Sequence, residues 1–201
     1  MIRKLMTFTA AVAAYAITTG VPAAAQEVDM GAEEQLMMEK WTEYATPGEE
    51  HAHLAQLEGA WNWTARFWMA PGDEPMESSG TSSSEMAFGG RYLIEGYEGS
   101  AMGQPFEGHG MTGYDNRDEE YIAVWVDNHS TGVMISRGSY DPATRTLTMT
   151  GTYDDVVTGE EKTMRGVTTI VDDDTVRYEA YTPGPDGVEF KSFELVSTRQ
   201  P

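Results

Sequence analysis

The sequence predicts an all-β protein, an antiparallel up-and-down barrel of about ten strands with two short N-terminal helices. Three observations carry that expectation. Trp61, Trp63, Ala65, Phe67 and Met69 alternate with Asn62, Thr64 and Arg66, and only Trp68 breaks this period of two, the mark of a half-buried strand. Turn residues then recur roughly every ten positions to the C-terminus. The intervals between turns cannot hold a crossover helix, so neighbouring strands must pair antiparallel as hairpins. A closed barrel is expected over a sandwich, because the meander is unbroken and closure removes exposed edges. Glycines within strands, such as Gly96, Gly108, Gly110 and Gly138, suit the bends of a closing sheet.

In chain order, Met1-Ile2-Arg3-Lys4 is followed by an uncharged run from Leu5 to Val21 and by Pro22-Ala23-Ala24-Ala25. A basic start, a short apolar run and small residues before a cut describe a signal peptide over residues 1–25. Export to the periplasm or beyond the cell is the corresponding expectation, with no membrane insertion once the leader is gone. Residues 26–48 read as an acidic arm and an amphipathic helix, with Met37, Trp41 and Tyr44 on one side. Pro47-Gly48 ends that helix. A second helix over 49–57 starts with Glu49 and Glu50, as the helix dipole prefers, and points Leu54 and Leu57 one way. Both helices are expected to brace one end of a barrel domain spanning 49–201. Its strands are expected to start near Trp61, Ser78, Arg91, Phe106, Glu119, Val133, Thr146, Lys162, Thr175 and Val188.

Composition narrows the function classes. Asp and Glu number 33 against 13 Lys and Arg, a formal charge of -20, and loss of Arg3 and Lys4 with the leader makes the exported chain more negative. That balance opposes nucleic acid and anionic membrane surfaces, which need basic contacts. The chain has no cysteine. Disulfides, thiol catalysis and Cys-ligated zinc are thereby excluded. A domain of this size can still be held by its own core, burying roughly 70% of the unfolded chain's surface.

Gly59-x-Trp61 opening the first strand, just after a short helix, resembles the lipocalin or calycin signature. The resemblance implies a tryptophan sealing the barrel base beneath a basic residue from the last strand, here Trp61 and Arg199. Over about residues 45 to 199 the chain also resembles the bacterial domain of unknown function 1579 family. The blocks that carry this include Pro47-Gly48-Glu49-Glu50-His51, Leu54-x-x-Leu57-x-Gly59-x-Trp61 and Trp68-Met69-Ala70-Pro71-Gly72. Further along they are Gly89-Gly90-Arg91-Tyr92-Leu93, Phe106-Glu107-Gly108, Gly113-Tyr114-Asp115-Asn116, Trp125-Val126-Asp127-Asn128 and Thr182-Pro183-Gly184-Pro185-Asp186-Gly187. The implied fold is a calycin-like barrel, with no activity attached.

Local motifs add little chemistry. Gly108-His109-Gly110-Met111-Thr112-Gly113 matches a dinucleotide fingerprint in letters, but a turn and a strand follow it where a helix N-terminus is needed. His51 and His53 are two apart on a helix and diverge, and Asp172-Asp173-Asp174 reads as a solvated hairpin. No catalytic residue, metal site or cofactor is assigned. The ionisable strand residues Glu85, Arg91, Glu95, Asp127, Glu179 and Glu194 are the more informative set. An interior lined by Trp63, Phe67, Trp125 and Tyr181, anchored by Arg91, Asp127 and Glu179, would bind a small apolar or amphipathic molecule. The alternatives are a small barrel enzyme using carboxylate acid–base chemistry and a structural or interaction module of the envelope. Oligomeric state is left open. The leader reading has a direct check: protein recovered from the periplasm should begin at Gln26 by N-terminal sequencing, and a mature chain starting at Met1 contradicts export by this route.

Overall fold

The computed structural model describes residues 31–156 and 158–201; the expected signal peptide and the start of the expected acidic arm lie outside the described residues. Two helices, α1 (Ala32–Ala45) and α2 (Glu49–Ala55), precede ten strands. These are β1 (Gly59–Phe67), β2 (Met76–Ala87), β3 (Tyr92–Ala101), β4 (Gln104–Asp115), β5 (Glu120–Asp127), β6 (Met134–Asp141), β7 (Thr146–Asp154), β8 (Glu161–Asp172), β9 (Thr175–Pro183) and β10 (Glu189–Arg199). Each strand pairs antiparallel with its chain neighbours, and β1 pairs with β10 to close the barrel. The expected all-β up-and-down barrel is thus the observed one.

Alternation sorts the side chains. In β1, Trp61, Trp63 and Ala65 are buried while Ala60, Asn62 and Thr64 are exposed. Pairing carries that choice of side around the sheet, since residues opposite each other in a ladder share a face. Trp61 lies opposite Arg199, Trp63 opposite Ser197, and Ala65 opposite Leu195.

One end of the barrel is filled. Leu54 of α2 packs onto Leu93, Tyr121, Leu147 and Met149, with Leu57, Met86, Tyr114, Ala123 and Tyr140 around them. Leu54, Leu93 and Tyr121 are at most 2% exposed. Polar groups fix the helix above this cluster. The Tyr121 hydroxyl lies 2.8 Å from the Glu50 main-chain oxygen and 2.7 Å from Glu50 Oε2. His53 Nδ1 is 3.3 Å from both Tyr121 Oη and Glu50 Oε2, and its ring packs on Tyr140. His51 is buried, accepts the Gly48 N–H at 3.1 Å on Nδ1, and its pKa is lowered by burial, so the neutral ring is the one that caps α2. The packing beneath α2 leaves a cavity of only 10 Å³, lined by Leu54, Tyr121, Leu147 and Ile170 among others, room for one water at most.

The expectation that both helices brace the barrel is corrected for α1. No α1 residue is buried, and Leu36, Met37, Met38, Trp41 and Tyr44 are exposed. Thr46 is extended, as a residue preceding proline must be, and the link through Pro47 turns the chain away before α2 begins. The C-terminal end of α1 is tied down. Asn116 donates to the Tyr44 and Thr46 carbonyls at 2.9 and 2.8 Å, and Arg91 donates to Ala45 O. Of the two helices, α2 is the one that packs over the end. Leu54→Ala should therefore cost about 2–5 kcal/mol in urea unfolding, whereas a loss well under 1 kcal/mol would mean α2 is not part of the core.

Candidate functional site: the open half of the barrel lumen

Beyond the filled end, the inward positions change character. Facing inward there are Ala65, Ser78, Gly80, Gly99, Gly108 and Gly110. Small residues at these positions cannot fill a barrel of ten strands, since about eight already make an interior that side chains just occupy. The large inward side chains lie along the wall. The Trp63 ring covers Gly80 and Gly99, where an added Cβ would come within 2.5 and 2.6 Å of it. Trp125 covers Gly108 in the same way, and Tyr178 covers Gly166. Both indole N–H groups are spent at the wall: Trp63 Nε1 donates to Thr81 O at 3.0 Å and Trp125 Nε1 to Asp127 Oδ2 at 2.9 Å. Trp63 is buried, so the half-buried Trp125 ring is the one whose face is left for the interior.

These rings form a chain of contacts. Trp63 meets Phe106 edge-on at 6.2 Å, Phe106 stacks with Trp125 at 6.5 Å, and Trp125 meets Tyr97 edge-on at 5.4 Å. Tyr178 and Phe193 are 6.1 Å apart. Phe106, Trp125, Tyr97, Tyr178, Phe193 and Leu195 are all only half-buried, unlike the residues under α2. Interiors pack as densely as organic crystals, so inward side chains that keep accessible surface border open space.

One carboxylate sits among the rings. Glu95 lies in a row running Ser84, Glu95, Gly110, Trp125 and Met134 across β2 to β6. The Tyr97 hydroxyl donates to Glu95 Oε1 at 3.2 Å, and Oε2 lies over Gly110, where an added Cβ would be 3.3 Å from it. Glu95 is enclosed deeply enough that burial raises its carboxyl pKa, against the opposing hydrogen bond from Tyr97. Its remaining accessible surface therefore faces the lumen. Burial, with the neighbouring Glu95 charge, also holds the Tyr97 phenol well above its ordinary value, and burial pushes Tyr178 up to about 12. Both phenols stay protonated at neutral pH, and that of Tyr97 donates to Glu95.

The residues singled out from sequence divide into three groups. Trp63, Phe67, Trp125 and Asp127 face inward; Phe67 lies opposite Phe193, and Asp127 holds the Trp125 indole and the His129 N–H, the latter at 2.9 Å. Trp61 and Arg199 meet at the sealed end, the guanidinium 4.1 Å above the ring centre. Arg91, Glu179 and Tyr181 are not inside, which corrects the expected lining. Arg91 belongs to the β2–β3 turn and donates to Phe88 O and Ala45 O. Glu179 and Tyr181 alternate with inward-facing Tyr178 and Ala180, so they project outward. There Lys191 Nζ lies 3.0 Å from Glu179 Oε1 and also pairs with Glu194, while Arg165 sits 4.2 Å over the Tyr181 ring.

Sequence reasoning passed over Glu95 as a site residue and missed Tyr97, Phe106, Tyr178 and Phe193 altogether. The signal for the first two was present: Leu93, Glu95 and Tyr97 share a period of two with a fully buried leucine. Among the described residues, no three His, Cys, Asp or Glu side chains cluster as metal ligands.

The raised Glu95 pKa fixes the sign of a stability effect. The contribution of the protonated acid is complete below the ordinary carboxylate value, about pH 4.3, and is lost as pH rises through the raised folded value. Urea unfolding of the wild type and of Glu95→Gln should thus diverge on going from about pH 4 to about pH 8, the wild type losing stability relative to the variant. A difference independent of pH would place Glu95 in solvent.

The family model described as "Protein of unknown function (DUF1579)" matches residues 46–199. Among solved structures, the chain is similar to Rv2717c from M. tuberculosis, with a TM-score of 0.55 and 15% identity, covering 78% of this chain and 100% of that one. This likeness concerns the fold alone. A redesigned β-barrel matches with a TM-score of 0.38 and 15% identity, over 74% of this chain and 96% of the other. No curated protein matches the chain. With the match running from the link ahead of α2 to the arginine that closes the barrel, the chain belongs to the DUF1579 family of proteins of unknown function.

Proposed function

We propose that this protein binds a small apolar or amphipathic molecule in the open half of its barrel, after export to the periplasm or beyond the cell. The observation that carries the reading is the contrast between the two ends. Leu54, Leu93 and Tyr121 are packed tight under α2, while Tyr97, Phe106, Trp125, Tyr178 and Phe193 are only half-buried. A barrel that needed only to be stable would be filled throughout, because unfilled apolar volume costs about 24 cal/mol per Å³.

The mouth lies at the end away from α2. The β5–β6 ladder stops at Trp125 opposite Met134, so the loop between Asp127 and Met134 leaves that rim unpaired. Trp63, Phe67, Phe106 and Trp125 would contact apolar parts of the ligand, and Glu95, Tyr97 and Asp127 its polar part. A basic start and apolar run at the N-terminus support export. No described helix is long and apolar enough to cross a membrane. The charge of -20 favours neither nucleic acid nor an anionic membrane as a partner.

A second reading, an interaction module of the envelope, is favoured by the exposed Leu36, Met37, Trp41 and Tyr44 on α1. The two make different demands on a neutral reporter such as N-phenyl-1-naphthylamine. Lumen binding predicts dye fluorescence on addition to the protein, with quenching of tryptophan emission from Trp63 and Trp125. Ser78→Trp, which puts an indole into the open half, should weaken dye binding about tenfold with the circular dichroism spectrum retained. Binding that survives Ser78→Trp but is lost when Trp41 is replaced by alanine would favour α1 and overturn the lumen reading.

A further inference from the structure

We infer that the lumen selects a positively charged amphiphile, an alkylammonium whose head group is held by Glu95 among the faces of Phe106, Trp125 and Tyr97. The inference rests on the lumen-binding reading and names the ligand class for that site. Three observations lead to it.

The first is an incompletely used carboxylate. Glu95 Oε1 takes the Tyr97 hydroxyl, but Oε2 accepts no hydrogen bond from any described residue, and the Tyr178 hydroxyl has no hydrogen-bond partner among them. The second is the absence of a cation to neutralise it within the described lumen. Arg199 is committed at the sealed end to Trp61, Glu58 O and Asp173 O. Lys162 at the rim is paired with Asp155, while Lys191, Arg66 and Arg165 pair with glutamates on the outer face. The third is the presentation of the rings. Because half-buried Trp125 spends its N–H group on the wall, the lumen sees its π face, which attracts cations.

Together these groups favour one sign of charge. A carboxylate ligand would meet Asp127 at the mouth and Glu95 within, while the inward-facing Lys162 at the rim is already paired with Asp155. An ammonium supplies the missing charge to Glu95, donates to Oε2, and is surrounded by ring faces. The raised carboxyl pKa agrees with an acid that lacks a counter-ion. A bound cation must favour the ionised form of Glu95, so binding releases a proton and strengthens as pH rises.

The test compares three ligands with the same tail: decylammonium, decanol and decanoate, each below its micelle-forming concentration in physiological salt, titrated by tryptophan fluorescence. At about pH 8 decylammonium should bind about tenfold more tightly than decanol, and decanoate more weakly than decanol. The preference for decylammonium over decanol should shrink toward about pH 5 as Glu95 takes up a proton, and should vanish in Glu95→Gln. Attraction to the acidic outer surface would survive that substitution, so persistence of the preference overturns the assignment to Glu95. Equal binding of all three ligands, or tightest binding of decanoate, overturns the charge selectivity while leaving the lumen as the site. Failure of all three to bind overturns both. If Glu95→Gln does not fold, the wild-type pH dependence decides, and a preference unchanged with pH counts against the inference.

Discussion

Closure of the barrel rests on the first strand meeting the last. The β1–β10 ladder runs from Trp61 opposite Arg199 to Phe67 opposite Phe193, and without it both strands would be open edges. Its sealed end is held by one side chain in three ways. The Arg199 guanidinium lies 4.1 Å over Trp61, its Nη1 donates to Glu58 O at 2.7 Å, and its Nε donates to Asp173 O at 3.1 Å. Gly59 is required at this point for two reasons: its φ is 136°, and a Cβ there would run into Arg199 Nη1. The Gly-x-Trp pattern is therefore a spatial requirement as much as a signature. Closing so long a loop costs entropy that grows only slowly with its length, and the ladder together with the stacked cation offsets it.

Closure with ten strands has a consequence for the interior. The perimeter is wider than side chains of ordinary size fill, so one end needs a plug and the other keeps room. α2 is the plug. It contributes Leu54 to the core, while Glu50, His51 and His53 fix its orientation through Tyr121, Gly48 and Tyr140. The histidines, which invite a metal reading in the bare sequence, are spent on this docking. The half of the barrel without a plug is where small residues and flat rings collect.

Electrostatics then distinguishes the two faces of the sheet. On the outside, carboxylates find cations, as Glu179 and Glu194 do at Lys191 and Glu189 at Arg165. Such exposed pairs contribute roughly 0–1 kcal/mol each. Inside, Glu95 has a phenol and no cation. Burial there favours the neutral acid, which raises its carboxyl pKa.

Strand order, the meander and the sealing tryptophan were legible in the sequence, because a period of two and regularly spaced turns are local properties of the chain. Which face of a strand points inward was legible where one face alone carries large apolar groups, as in Trp61, Trp63 and Phe67. It was not legible in β9, where Tyr178 and Tyr181 give both faces an aromatic and the β10 partner shifts register between Lys191 and Phe193. Arg91 was misread for a related reason: it stands one residue before β3, and its reach to Ala45 depends on where α1 ends. By itself, then, the sequence determined an acidic all-β chain of antiparallel hairpins, since alternation and turn chemistry act between near neighbours. Only the tertiary structure decided that Glu95 is enclosed without a counter-ion, because that depends on which side chains the nine other strands bring, or fail to bring, to the same interior.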